Sequence, residues 1–384
     1  MEFYITLFLI SVGSAFLSNI IITPILIALA RKYQWYDSTN ERKIHISPTP
    51  RIGGVGVFIS FIIGISVFFF LSQQRPEIEV GLDAVKFAAL VTAIVGIFIV
   101  GICDDYLNLS AKLKFGIQAL LTVILISSGF RFKEIYIPFI QYTLPLGLFS
   151  YPLTFIWIVG VSNAINLIDG MDGLAGGLSC FGLVSVGLYS LVLNDIGLSI
   201  LAFTLAGSLL AFLIFNFPPA KIFMGDAGSY VVGLTLAVVP LANNPQYDSV
   251  TLYLAITVCI IPIFDTFSSM IRRMFFYRVS FFTPDKEHTH HKMLNLGLST
   301  LQVLTIVYLI CACLCGAALL WSLYQTDWSL MLIVCVWGAV GIFFLALSHD
   351  FKKYFKNDPE AQRFYELKRQ QQIKAAQKEQ NESK

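Results

Sequence analysis

The sequence predicts an all-α polytopic membrane protein with about eleven transmembrane helices, an external N-terminus and a cytoplasmic C-terminus. Three observations carry this. Hydrophobic residues make up 56% of the 384-residue chain and charged residues only 13%, against about 25% charged in soluble domains. Apolar runs long enough to cross a bilayer, about 20 residues each, follow one another along most of the chain. Cations concentrate in alternate loops, which orients the spans.

In chain order, the runs fall near 3–30, 51–71, 84–103, 113–130, 149–168, 173–193, 197–217, 229–244, 249–271, 300–323 and 328–348. The run at 229–244 is the weakest, since Gly233 and Pro240 interrupt it. The first run lacks the basic start of a cleavable signal and is expected to be retained. One set of loops holds Arg31, Lys32, Arg42, Lys43 and Arg51, then Lys112 and Lys114, Lys221, and the group Arg272, Arg273, Arg278, Lys286 and Lys292. Lys352, Lys353 and Lys356 follow on the same side. The opposite loops are short and poorer in cations, and 131–148 reads as a small outer hairpin. Residues 1–350 are expected to form the membrane domain and 351–384 a polar cytoplasmic tail. A net charge of +2 gives no basic surface for nucleic acid. Cys311, Cys313 and Cys315 mimic a metal clip, but helical residues two apart face different ways, so packing is the better reading.

Every acid- or histidine-rich cluster lies on the inner side. Asp104 and Asp105 end the third run, where the negative end of the helix dipole disfavours them. A divalent cation or a cationic side chain would relieve that repulsion, and oxygen ligands suit Mg²⁺ or Mn²⁺. The stretch Asn163–Gly173, N-A-I-N-L-I-D-G-M-D-G, sets Asn163, Asn166, Asp169 and Asp172 at three-residue steps. Gly170 and Gly173 are expected to break the helix and admit a ligand to the backbone. In Asn216–Ser229, Pro218 and Pro219 stop a helix, and Gly225 and Gly228 flank Asp226 at the start of the next. An acid there can bind a metal while free N–H groups receive phosphate. His288, His290 and His291 lack neighbouring cysteines, which favours phosphate contact or proton handling over zinc. Lys43, His45, Arg51 and the Gly53-Gly54 pair precede the second run, where the cations could hold a diphosphate. Carboxylates, cations and glycine turns on one face point to a phosphate ester substrate, and the membrane setting to a lipid.

At Asp104-Asp105, N-A-I-N-L-I-D-G-M-D-G-L, F-M-G-D-A-G-S and H-T-H-H, the chain resembles the polyprenyl-phosphate N-acetylhexosamine-1-phosphate transferases. These are relatives of the phospho-MurNAc-pentapeptide translocases. P-T-P-R-I-G-G and H-T-H-H look more like the bacterial branch using UDP-GlcNAc. The resemblance implies a phosphotransferase that joins a UDP-N-acetylhexosamine to undecaprenyl phosphate and releases UMP. It implies Mg²⁺, or Mn²⁺, held by Asn166 and Asp226. It gives Asp104, Asp105, His288, His290 and His291 catalytic roles. Asn163, Asp169, Gly170, Met171, Asp172, Asn216 and Phe223 would line the nucleotide pocket, with Lys43, His45, Arg51 and Lys114 meeting phosphates or sugar. A homodimer is compatible with this reading. The alternatives are a phospho-MurNAc-pentapeptide transferase and a cation-coupled carrier, whose ionisable groups should sit near mid-membrane.

Overall fold

The computed structural model describes residues 2–35, 49–73, 82–242, 248–271 and 288–357. The described chain is helical apart from one two-stranded hairpin. Its helices are α1 (Glu2–Tyr33), α2 (Gly53–Ser72), α3 (Ala84–Leu107), α4 (Ala111–Ser127), α5 (Ser150–Ile168), α6 (Leu174–Val192) and α7 (Ile196–Asn216). They continue with α8 (Gly225–Val238), α9 (Asp248–Val258), α10 (Ile260–Ile271), α11 (Thr289–Asn295), α12 (Thr300–Tyr324) and α13 (Asp327–Asn357). Strands β1 (Glu134–Ile137) and β2 (Tyr142–Pro145) pair antiparallel, which is the hairpin expected in 131–148.

Eight helices are long and apolar enough to cross a membrane: those in α1, α2, α3, α5, α6, α7, α12 and α13. The other three expected spans are shorter. Run 113–130 becomes the 17-residue α4. Run 249–271 divides at Cys259 into α9 and α10, with Pro262 in the first turn of α10. Run 229–244 becomes the 14-residue α8, followed by a 3₁₀ turn at Val239–Leu241. A helix of that length rises about 21 Å, short of a hydrocarbon core of about 30 Å. The last helix also runs to Asn357, seven residues past the expected domain edge at 350.

Helix α8 is the hub. Every one of its residues except Asp226 is buried, the pattern of a helix that is apolar all round. It packs against α2, α3, α5, α6 and α7. Small residues permit the close approach, as is common between helices in lipid. A Cβ on Gly54 of α2 would lie 2.1 Å from the Gly228 nitrogen, and one on Gly101 of α3 would lie 2.4 Å from the Ala227 Cα. On the α5 side, a Cβ on Gly233 would lie 2.9 Å from the Ser162 Cα. Backbone hydrogen bonds lock α2 to the loop before α8: Gly53 N–H to Phe223 O at 2.9 Å, Gly54 N–H to Met224 O at 2.7 Å, and Phe223 N–H to Pro50 O at 2.8 Å.

Some polar groups inside the bundle are satisfied by neighbouring helices, which a low-dielectric interior favours. Asn19 on α1 donates to the Ser208 carbonyl on α7 at 2.7 Å, and Ser208 donates to Val57 O on α2 at 2.9 Å. No disulfide is present among the described residues, and all seven cysteines are free. Cys311 and Cys315 are buried while Cys313 is exposed. The two-residue step therefore does place Cys313 on another face.

Candidate functional site

Three helix ends bring the expected acids together. The C-terminal turn of α3 supplies Asp104 and Asp105, the C-terminal turn of α5 supplies Asn166, and the first turn of α8 supplies Asp226. From α4, Lys114 reaches Asp104 Oδ2 at 2.6 Å and Asp226 Oδ2 at 3.6 Å. Lys114 is thus a cation between two carboxylates, Asp104 and Asp226, from different helices. Asn166 Nδ2 donates to Asp226 Oδ1 at 3.1 Å and to Ser229 Oγ at 2.9 Å.

The two adjacent aspartates have different surroundings. Asp104 is only 8% exposed and faces Lys114. Asp105 turns onto the start of α8, accepting from the backbone N–H of Asp226 at 2.9 Å and of Ala227 at 3.0 Å. An anion at a helix N-terminus is favoured by the free N–H groups and by the dipole. Each charge-assisted bond of this kind contributes about 1.5–3 kcal/mol. Gly225 makes the cap possible. Its φ of +73° is left-handed, and a Cβ there would meet Arg51 O at 2.3 Å and Asp105 Oδ2 at 2.8 Å. Asp105 therefore aims Asp226 by fixing the turn that carries it.

The stretch after α5 forms a compact turn. Asp169 follows the last helical residue, and Gly173, at φ +76°, starts α6. The Asp169 carboxyl is pushed well above the usual carboxylate range by burial, then by the charge of Asp226, with Arg51 opposing. Asp105 and Asp172 add to the same repulsion. Asp172 Oδ2 accepts from Ala220 N at 2.9 Å, and Asn216 Oδ1 accepts from Gly173 N at 2.9 Å. Asn216 Nδ2 in turn donates to Ile222 O at 2.9 Å. These bonds tie the turn to loop 217–224, with the buried Asn216 bridging the two. Asn163 donates to Gln118 Oε1 of α4 and Val159 O, both at 2.8 Å. Gly170 is exposed, Met171 is buried, and Phe223 is half-buried beside the turn that carries Asp226.

The histidine run closes over this turn from the far end of the sequence. His290 Nε2 lies 2.9 Å from the position a Cβ on Gly170 would take, so glycine there admits the ring. His290 is 2% exposed, and neither ring nitrogen has a hydrogen-bond partner among the described residues. Burial, then the neighbouring His291, pushes its pKa down to about 3. His290 is consequently neutral near pH 7 and offers one donor and one acceptor rather than a cation. Its ring is parallel to that of His288, with centroids 6.0 Å apart. Lys43 and His45 lie outside the described residues, as do the cations of 272–287.

Three further residues were not singled out by the sequence. Asp265 of α10 accepts from His288 Nδ1 at 2.7 Å and from Thr289 N at 2.6 Å. Tyr308 of α12 donates to Gly173 O at 2.6 Å. Gln118 receives Asn163 from one turn beyond Lys114. Each is a large polar side chain in a mostly apolar helix, which is the signal that could have found them.

The donor set fits a hard divalent cation. Asp104, Asp105, Asp169 and Asp226 gather against Lys114 and Arg51, all through oxygen donors on the anionic side. Among the described residues no three His, Cys, Asp or Glu side chains enclose an ion by themselves. Mg²⁺ does not ask for that, since it is usually held by one or two carboxylates with water and substrate phosphate.

Helices of membrane length, with a cluster of acids and cations at their ends, define a multi-pass membrane protein with a charged site at its helix ends. The glycosyl transferase family 4 profile matches residues 87–244. The chain is 38% identical over 297 residues to a probable undecaprenyl-phosphate N-acetylglucosaminyl 1-phosphate transferase of Bacillus subtilis, covering 77% of this chain and 79% of that one. It is 35% identical over 298 residues to a decaprenyl-phosphate N-acetylglucosaminephosphotransferase of Mycobacterium tuberculosis, covering 70% and 71%. With the undecaprenyl-phosphate alpha-N-acetylglucosaminyl 1-phosphate transferase of Escherichia coli K12 it shares 27% over 344 residues, 85% and 88% of the two chains. The chain belongs to this family of polyprenyl-phosphate N-acetylglucosamine-1-phosphate transferases, and it is a phosphotransferase.

Proposed function

We propose that the chain transfers GlcNAc-1-phosphate from UDP-GlcNAc to undecaprenyl phosphate at the cytoplasmic face of the bacterial inner membrane, releasing UMP. The product would begin a cell-envelope polysaccharide of the O-antigen, common-antigen or teichoic-acid type. The observation that supports this most is the meeting of Asp104, Lys114, Asn166 and Asp226 from four helices at one point. Loop charge supports the cytoplasmic placement and the eleven-crossing topology, with α8 as the buried member of the bundle.

In this reading the lipid phosphate meets Lys114, whose ammonium neutralises it. Asp104, paired with that ammonium, orients the phosphate and takes its proton. Asp105 keeps its place on the start of α8 and holds Asp226 in position. The lipid phosphate oxygen attacks the β-phosphorus of the donor, the bond to the bridging oxygen breaks, and UMP leaves with that oxygen. Such chemistry depends on positioning and charge neutralisation. A bound Mg²⁺ or Mn²⁺ supplies charge neutralisation for the diphosphate, with Asp226 and Asn166 as its protein ligands. Arg51 faces the donor phosphates, and Asp169, Gly170, Met171, Asp172 and Phe223 border the uridine. His288, His290 and His291 close over the sugar-phosphate side.

The ionisable groups lie at helix ends rather than mid-span, which favours this reading over a carrier. The test is UMP release by purified protein given a short polyprenyl phosphate and, separately, UDP-GlcNAc or UDP-MurNAc-pentapeptide. UMP should form with UDP-GlcNAc, stop with EDTA and return with Mg²⁺. UMP release from the pentapeptide donor alone, or undiminished release in EDTA, would overturn the assignment.

A further inference from the structure

Asp265 lies in α10, outside the residues matched by the family profile. It is 2% exposed, the one ionisable side chain of α10. A buried carboxylate is unfavourable unless its oxygens are fully used. Here they are used on one short segment. Oδ2 meets His288 Nδ1 at 2.7 Å, and Oδ1 accepts both the backbone N–H of Thr289, at 2.6 Å, and its hydroxyl. Those two residues are the cap and first residue of α11. Through α11 the grip reaches His290, two residues on, whose ring sits over Gly170.

We infer that Asp265 is a positioning residue for the transfer reaction, one that fixes His288 in a single orientation and holds the histidine run against the Asp169–Asp172 turn. The carboxylate accepts a hydrogen bond from Nδ1–H, so the lone pair or second N–H of His288 is confined to Nε2. The same bonds set where α11 begins, and with it the register of His290 over Gly170. His290 keeps two buried ring nitrogens without partners among the described residues. Such nitrogens are costly to leave unpaired, and substrate entering the turn would satisfy them. For metal-bound histidines, a partner that orients the ring through its other nitrogen commonly carries a 10- to 100-fold effect, and a comparable effect is expected here.

The inference rests on the transferase reading, and the test separates the two. Asp265→Asn keeps the shape and still accepts from Thr289, while removing the charge. Purified wild type, Asp265→Asn, His288→Ala and the double variant are compared for UMP release, with melting followed by intrinsic fluorescence. Asp265→Asn should lower kcat about 10- to 100-fold, leave KM for the polyprenyl phosphate within about twofold, and melt near wild type. In the double variant the loss should match that of His288→Ala alone, because Asp265 acts through that ring. Unchanged kcat in Asp265→Asn, or losses that multiply in the double variant, would overturn the positioning role. Should Asp265→Asn melt early, the multiplication test on the folded fraction still decides. A wild type that releases no UMP would instead overturn the transferase reading.

Discussion

Asp226→Asn should lower UMP release by roughly a hundred- to a thousandfold, the range seen when one electrostatic contribution to the transition state is lost, here that of the divalent ion Asp226 would hold. The substitution keeps the side-chain shape and leaves an oxygen for Asn166 to bond. Asp105 grips the backbone N–H of residue 226 rather than its side chain. The first turn of α8 should therefore persist, and the variant should insert and melt like wild type. What changes is charge: the carboxylate that faces Lys114 at 3.6 Å becomes a neutral amide. Steady-state kinetics with UDP-GlcNAc, together with a melting curve, checks both halves. Activity within threefold of wild type would remove Asp226 from the chemistry.

Gly54→Ala should act through packing instead. A Cβ there would lie 2.1 Å from the Gly228 nitrogen, 2.5 Å from its Cα and 2.7 Å from Met224 O. All three are backbone atoms, so no side chain can swing away to make room. Relief requires α2 and α8 to separate, which breaks the 2.7 Å bond from Gly54 N–H to Met224 O. Overpacking of this kind costs about 1–3 kcal/mol. It should also displace the turn that aims Asp226. Melting temperature and kcat should fall together, whereas Gly316→Ala, where a Cβ meets nothing within 4 Å, should change neither. Normal melting and activity in Gly54→Ala would show that α2 and α8 are not so tightly joined.

The sequence carried the site further than it carried the bundle. Asp104, Asp105, Asn166 and Asp226 were legible because acids and carboxamides at the ends of apolar runs need an explanation that hydrocarbon does not offer. The residues alone read Lys114 as a loop cation and the resemblance gave it a phosphate or sugar contact, but its place between Asp104 and Asp226 depends on how α4 docks. The different tasks of Asp104 and Asp105 were not legible, since adjacent identical residues diverge only through what each one faces. The bonds that Asn163 makes to Gln118 and Asn216 makes to Gly173 and Ile222 were not legible, because a carboxamide satisfies buried backbone as readily as it meets substrate. Asp265 was hidden in a run that reads as one span, and its partners lie 23 and 24 residues on. That α8 would be buried among other helices was not legible, because apolarity does not distinguish lipid contact from burial. Its glycines marked the difference, since they match the small residues of α2 and α3 that touch it.

The most direct measurement is binding of Mn²⁺ to the purified protein in the presence of UDP-GlcNAc, followed by electron paramagnetic resonance. Wild type should hold one ion per chain, and Asp226→Ala and Asn166→Ala should each weaken it at least about tenfold. Equal affinity and an unchanged bound-ion spectrum in both variants would contradict a shared divalent site at the meeting of α3, α5 and α8.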